Sequence, residues 1–158
     1  MEEYKMKDPR IEKLAKNLIH YSLRLQKGEK VLIENFGLQR ELVIALVREA
    51  YAVGAYPFVS LKDHQVDRAL LLGAQEEQFS MMAEFEANVM KEMDAYIGLR
   101  AGDNINEFAD VPADKMKIHG KRLCKSASGH SCTENEMGRA PLSESVYGAA
   151  RENEHRGV

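Results

Sequence analysis

The sequence predicts an α/β fold, a small parallel three-layer sheet with crossover helices that forms an incomplete domain and is followed by a disordered C-terminal tail. Short β-branched runs alternate with amphipathic helical periods from Asp8 to Gly120, and strand–helix–strand order is typical of right-handed crossovers between parallel strands. The chain has 158 residues, 44% of them hydrophobic, which is enough for one packed domain with or without a tail. Because the patterns supply only three strands, the sheet is smaller than most open α/β sheets.

The first helix is predicted to begin at Asp8 and Pro9, since Asp is a good N-cap and Pro suits the first helical position. Apolar residues then recur at spacings of three and four, which indicates one buried helical face. Gly28 is expected to end this helix as a C-cap.

The remaining elements follow from the same two periodicities. Gly54 is expected to close the second helix, and Pro57 favours the start of a strand or the edge of the sheet. The predicted strands are Lys30–Glu34, Tyr56–Leu61 and Ala95–Leu99, and the predicted helices are Leu38–Val53, Asp67–Leu72, Glu76–Met93 and Pro112–Gly120.

Composition excludes several classes of protein. The formal charge is −3 and the pI is about 6.0, so the sequence has neither the basic footprint of a nucleic-acid-binding protein nor a polybasic membrane patch. No apolar run approaches the roughly 20 residues that span a bilayer, and the charged N-terminus is unlike a signal peptide. Two cysteines are too few for a disulfide scaffold, and a cytoplasmic protein is expected.

The amino-acid composition of the chain changes at Arg122. Residues 1–121 are expected to form the domain, whereas residues 122–158 contain no Ile or Phe and hold both cysteines. Such a segment buries too little apolar surface to offset its ordering entropy, so a disordered tail is predicted. Cys124, His130 and Cys132 do not have a zinc-finger spacing and are weak as a metal site.

The turn Arg100–Asn104 is a candidate ligand site, because it follows the third strand and open sheets bind ligands beyond the carboxyl ends of their strands. The alternative is a solvated turn whose Asp and Asn side chains bond their own backbone. Neither this turn nor the segment Asn35–Leu38 after the first strand matches a dinucleotide or phosphate-loop motif.

Asp63, His64 and Asp67 are candidate metal ligands by residue type, but no second cluster accompanies them, and an Asp before a helix is more often a cap. His20 is expected within the first helix, between Ile19 and Tyr21, at the boundary between its buried and exposed faces. His119 is expected near a helix end, where a cation is favoured. The methionines at helical spacing are expected to fill the core, and they are Met81, Met82, Met90 and Met93.

Several segments in a common order carry a family resemblance. DPRIEKLAKNLIHYSLRLQKGEKVLIE, LVREAYAVGAYPFV, ALLLGAQEEQ, MKEMDAYIGLRAGDN and DVPADKMKIHGK together resemble the N-terminal domain of the thermophilic-type metallo-aminopeptidases, the aminopeptidase T and aminopeptidase S family. The resemblance runs almost continuously from Asp8 to about Lys121.

The resemblance implies a metallopeptidase that releases N-terminal residues from peptides in the cytoplasm. In this family two divalent metal ions (Zn, Co or Mg) polarise the scissile carbonyl and activate a water molecule, and their ligands lie in a C-terminal domain. No catalytic, cofactor-binding or metal residue is therefore assigned in this chain, and no bound ion is expected. Peptides are the implied partners, nucleic acid and membranes are not, and a homodimer is a possible assembly.

The tail departs from the family in a way that a shifted reading frame explains. Family members continue with a stretch close to KTKWVVLRYP, where this chain has TENEMGRAP. Shifting the frame by one base turns the Met137-Gly138 junction into Trp. Synonymous codons then permit PKTKWAVLRYPNPYMAQLAKMNTEA through Val158, so the sequence predicts a frameshifted tail.

Three hypotheses follow for the chain as written. The first is a truncated, inactive aminopeptidase fragment, and the second is a non-catalytic α/β binding or interaction module with a dispensable tail. The third is a small enzyme that uses the turn Arg100–Asn104. If the sheet normally continues beyond this chain, its last strand is expected to leave an unpaired edge.

Overall fold

The computed structural model describes residues 8–37, 40–100, 106–128 and 148–151. Its helices and strands are α1 (Pro9–Lys16), β1 (Lys30–Phe36), α2 (Arg40–Ala52), β2 (Tyr56–Lys62), α3 (His64–Leu72), α4 (Glu76–Lys91), β3 (Ala95–Arg100), α5 (Ala113–Ser128) and β4 (Gly148–Arg151). They divide into two compact units, the first made of residues 1–61, 94–100 and 147–158 and the second of residues 62–93 and 101–146.

The sheet confirms the predicted α/β class with a small parallel three-stranded core. Its strand order is β2-β1-β3-β4, and β1 pairs parallel to β3 in a register that runs from Val31 opposite Ala95 to Phe36 opposite Arg100. Pro57 lies in β2 at the edge of this order. The edge position fits because Pro cannot donate a backbone hydrogen bond to a neighbouring strand.

The last of the predicted strands, β3, does not end the sheet. It pairs antiparallel with β4, with Ala95 opposite Arg151 and Gly98 opposite Gly148, so the expectation of an unpaired edge at this strand is wrong. Helix α5 crosses residue 121 and continues to Ser128. The rest of the segment predicted as a disordered tail, residues 129–147 and 152–158, lies outside the described residues.

The core of the first unit forms between the sheet and the two helices that precede and follow β1. β1 alternates little between buried and exposed positions, as expected for a central parallel strand that is covered on both faces. The fully buried members of its cluster come from α2, from the strands and from the segment after α1, and they include Ile19, Leu23, Val31, Ile33, Leu46, Ile97 and Leu99, all at most 1% exposed.

The first helix ends earlier than predicted. Regular α-helix stops at Lys16, and a π-helical turn at Asn17–Ser22 precedes an irregular segment that reaches Gly28. Leu23 and Leu25 in this segment are 1% and 5% exposed. Both leucines join the core of the first unit, so this segment stays packed after the regular helix ends.

Gly28 and Gly54 occupy turns that need a positive φ. Their φ angles are 84° and 78°, a region that costs little only for glycine, and the Gly28 N–H donates to the Gly54 carbonyl at 2.9 Å. This bond joins the turn before β1 to the turn before β2, so the two parallel strands begin side by side.

The second unit has a separate core around Phe79 of α4. Leu71, Ala74 and Val111 are buried with it, and Phe108, Met82 and Met116 pack against them. Phe79 and Ala83 lie on one face of α4 and are 1% exposed, at a helical spacing of four.

Truncating a core side chain of α2 should destabilise the first unit. Leu46 is fully buried and Ile44, on the same helix, is 50% exposed. Leu46→Ala is expected to lower the free energy of unfolding by about 2–5 kcal/mol, and Ile44→Ala by less than about 1 kcal/mol. Urea denaturation followed by circular dichroism measures both, and equal losses would contradict the assigned core.

Candidate functional site

The carboxyl edge of the parallel sheet contains a buried amide. Asn35, in β1, is 1% exposed, and its Nδ2 donates to the Gly37 carbonyl at 3.1 Å. Its Oδ1 is buried and accepts no hydrogen bond from any described residue. Asn35 pairs with Leu99 of β3 in the strand register, so this polar group lies where open α/β sheets place ligands.

The predicted ligand turn falls at this same edge. Arg100 is the last residue of β3, and residues 101–104, the rest of the predicted turn Arg100–Asn104, lie outside the described residues. The ligand prediction for this turn therefore stays a prediction.

A group of charged side chains surrounds Glu86 in the second unit. Lys62 Nζ donates to Glu86 Oε1 at 2.9 Å, and the Arg122 guanidinium donates to both carboxylate oxygens, at 2.5 and 3.2 Å. Arg122 is 6% exposed, and its guanidinium carbon lies 5.5 Å from the centre of the Phe79 ring. We call Lys62, Glu86 and Arg122 the Glu86 cluster.

The electrostatics of the Glu86 cluster favour an ionised carboxylate. Burial by itself raises the pKa of Glu86, but the hydrogen bonds from Arg122 and Lys62 outweigh it and hold the pKa below its ordinary value. Both carboxylate oxygens of Glu86 accept hydrogen bonds from cationic side chains, and such charge-assisted bonds are typical of structural ion pairs. The cluster links α4 and α5, because Glu86 belongs to one helix and Arg122 to the other.

His119 lies within α5, and the prediction that it ends a helix as a favourable cation is wrong. Burial lowers the pKa of His119, and Arg122 lowers it further, so the imidazole is neutral at pH 7. Its Nδ1 is buried without a hydrogen-bond partner among the described residues. Its ring lies 6.0 Å from that of Phe108.

The candidate metal ligands Asp63, His64 and Asp67 make local structural contacts at the start of α3. Asp63 is the N-cap of α3 and accepts from the N–H groups of Gln65 and Val66 at 2.8 and 3.2 Å, which confirms the capping alternative. The His64 ring meets Phe108 edge to face at 5.9 Å, and Asp67 is in the first turn of α3.

Other residues singled out from the sequence have mixed outcomes. His20 is exposed rather than at a boundary, with 44% of its side chain accessible, and its Nε2 lies 3.1 Å from a Glu49 carboxylate oxygen. Met82 packs against the second core, but Met81 is 52% exposed, so its assignment to the core is wrong. Cys124 lies in α5, and His130 and Cys132 lie outside the described residues.

Two features of the site were not predicted, Asn35 and the Glu86 cluster. The signal for Glu86 is present in the sequence, because this glutamate falls on the apolar period of α4 beside Phe79, Met82 and Ala83. A carboxylate on an apolar face needs partners, but its partners are 24 and 36 residues away in sequence.

The described residues do not hold a metal centre. Across residues 8–37, 40–100, 106–128 and 148–151, no group of three or more His, Cys, Asp or Glu side chains comes close enough to bind an ion. In the same ranges, none of the helices combines the length and the apolar character that crossing a bilayer needs.

Comparison with known proteins identifies the family of this α/β chain. The family model of the thermophilic metalloproteases (M29) matches residues 7–138, and the chain belongs to this family. No curated protein sequence matches it. Among solved structures it is similar to wild-type AmpT from Thermus thermophilus, with 25% sequence identity and a TM-score of 0.61. The similarity covers 75% of this chain and 31% of the Thermus chain.

The Glu86 cluster should make the free energy of unfolding depend on pH in the acidic range. The folded pKa of Glu86 is below the unfolded value of about 4.3, so its contribution is present above that value and lost as pH falls through the folded pKa. Glu86→Gln is expected to cost about 1–3 kcal/mol at pH 7, because two cations lose their partner. It should also flatten the decrease of the unfolding free energy between about pH 5 and 3. Urea denaturation at several pH values measures both effects.

Glu77→Gln is the matched control for this substitution, because Glu77 is exposed on the same helix. It is expected to leave the unfolding free energy within about 0.5 kcal/mol of the natural chain. A Glu86→Gln variant as stable as this control would contradict the role of the cluster.

His119 should make the free energy of unfolding depend on pH in a second range, at higher pH than that of Glu86. Its folded pKa is below the unfolded value of about 6.5, so the unfolded chain binds the proton first. The free energy of unfolding should therefore decrease as pH falls below about 6.5. His119→Leu is expected to remove this decrease, and His20→Gln to retain it. The measurement is urea denaturation from pH 8 to 5, and an unchanged slope in His119→Leu would refute the assignment.

Proposed function

We propose that this chain is the N-terminal part of a metal-dependent aminopeptidase that releases N-terminal residues from peptides, and that it lacks the domain holding the catalytic metal ions. The family match over residues 7–138 carries the proposal. It is supported by the length relation to AmpT from Thermus thermophilus, since this chain spans 31% of that protein.

In this proposal the complete protein uses two divalent ions, Zn, Co or Mg, to polarise a peptide carbonyl and activate water. The described side chains do not fit such a pair, because none of them form a group of three possible ligands. We therefore derive no hydrolytic step for this chain. Its proposed role is that of a scaffold in a cytoplasmic protein, beside the catalytic domain, where it helps to shape the access of peptides.

We also propose that the coding frame shifts near residue 121. Support comes from the sequence, where a one-base shift converts the Met137-Gly138 junction into Trp and permits a family-like continuation to Val158. Sequencing the coding DNA across codons 118 to 126 tests this proposal. An intact frame there would refute it.

The alternative is a non-catalytic α/β interaction module. It is favoured by the buried cluster of the first unit, to which α1, the segment from Asn17 to Leu25, α2 and the sheet contribute. This alternative predicts that residues 122–158 are dispensable for binding to a partner.

An activity assay distinguishes these functions. The 158-residue chain and the chain translated after the frame is restored are incubated with aminoacyl p-nitroanilides, with Co²⁺ or Zn²⁺ or with a chelator. The short chain is expected to be inactive, and the restored chain to release p-nitroaniline only with metal. Hydrolysis by the short chain that survives chelation would refute the fragment proposal, and inactivity of both chains would favour the interaction module.

A further inference from the structure

Phe108 connects the segment before α5 to the neighbouring helices. This segment, residues 106–111, consists of turns and a bend, and the Phe108 side chain packs against the second core. The centre of its ring lies 5.9 Å from that of His64 in α3, edge to face, and 6.0 Å from that of His119 in α5. We call Phe108, His64 and His119 the Phe108 cluster. Two imidazoles thus contact one side chain of an irregular segment.

His119 is the member of the Phe108 cluster that cannot accommodate a proton in place. Its Nδ1 is buried and has no hydrogen-bond partner among the described residues, and protonation makes both ring nitrogens donors. A buried charged donor without an acceptor costs more free energy than the attraction of a cation to an aromatic ring returns. The charged ring is therefore stable only where water can reach Nδ1.

The charged groups around His119 do not supply the missing acceptor. Arg122 of α5 and Lys62 of β2 disfavour a further positive charge, whereas Asp67 of α3 and Glu86 of α4 favour it. Both Glu86 carboxylate oxygens already accept hydrogen bonds from the two cations, and Asp67 does not reach the buried Nδ1. Burial and the two cations prevail and hold the pKa of His119 below its ordinary value.

We propose that the Phe108 cluster is a pH-sensitive switch, in which protonation of His119 releases Phe108 and opens the turns around it while α3, α4 and α5 stay folded. Water reaches the buried Nδ1 only when a neighbour moves. Arg122 is fixed by its bonds to Glu86 and lies on the same helix as His119, whereas Phe108 belongs to a segment without regular secondary structure. Phe108 is therefore the neighbour that yields.

Two contacts at the end of the segment keep this opening local. The Asp110 carboxylate accepts two hydrogen bonds from the Arg68 guanidinium of α3, and Val111 is buried in the second core. The turns between these contacts and the predicted ligand turn Arg100–Asn104 are free to open. The switch thus adds to the proposed scaffold a segment whose order depends on pH, directly after the predicted ligand turn in sequence.

Amide hydrogen exchange of the 158-residue chain, followed residue by residue by NMR at pH 8 and pH 5, tests this proposal. The reporters are the N–H groups of Ala109 and Val111, which donate to the Asn106 and Phe108 carbonyls at 3.0 and 3.1 Å. After correction for intrinsic exchange rates, their opening constants should rise by about tenfold to thirtyfold from pH 8 to pH 5. The upper figure is the ratio of charged to neutral imidazole at pH 5 for a pKa of about 6.5.

The N–H of Ala83 in α4 separates local opening from global unfolding. It should stay more strongly protected than the two reporters at both pH values, because the helices remain folded when the turns open. Opening constants of Ala109 and Val111 that do not change with pH would overturn the proposal. Reporters that exchange only together with Ala83 would also overturn it, since the proton would then act on the whole unit.

Two substitutions identify the group that takes up the proton. His119→Leu cannot be protonated and should abolish the rise, and His119→Gln should do the same if the leucine variant does not fold. His64→Gln is the matched control: it removes the edge contact with Phe108 but leaves His119 intact, so it should raise the opening constants equally at pH 8 and pH 5. A rise that persists without His119, or disappears without His64, would refute the assignment. Circular dichroism verifies that each variant is folded.

Discussion

The parallel ladder between β1 and β3 depends on a reciprocal pair of bonds at its start. The Lys30 N–H donates to the Asp94 carboxylate at 2.9 Å, and the Asp94 N–H donates to the Lys30 carbonyl at 2.8 Å, across 64 residues of sequence. These bonds set Val31 opposite Ala95, and every later pair in the ladder follows. A slip of one residue would turn buried side chains such as Ile33 to the other face of the sheet.

The same register decides what lies at the carboxyl edge of the sheet. It brings the ends of β1 and β3 together, so the buried amide of Asn35 lies beside the strand that leads into the predicted turn Arg100–Asn104. A buried acceptor without a donor is costly in a folded protein. Asn35 Oδ1 accepts no hydrogen bond from the described residues, and it lies at the edge where open α/β sheets commonly place ligands.

The second unit adds a partly buried ion pair to its apolar core. Glu86 interrupts the apolar face of α4, and Lys62 and Arg122 compensate its charge. Arg122 also stacks near Phe79, so one side chain serves both the ion pair and the core. The chain belongs to the thermophilic metalloprotease family, and its similarity to the Thermus protein covers 31% of that chain.

Local patterns in the sequence were sufficient to predict the α/β class, the order of the first three strands and the helices between them, a capping role for Asp63, and a strand start or sheet edge at Pro57. Each of these depends on residues close in the chain. The early end of regular α-helix at Lys16, the partner strand β4 and the partners of Glu86 could not be predicted in this way. Each of them depends on groups far apart in sequence, whose contacts exist only once the chain has folded. The sequence determined which residues needed burial or a partner, and the tertiary structure decided which distant residues met that need.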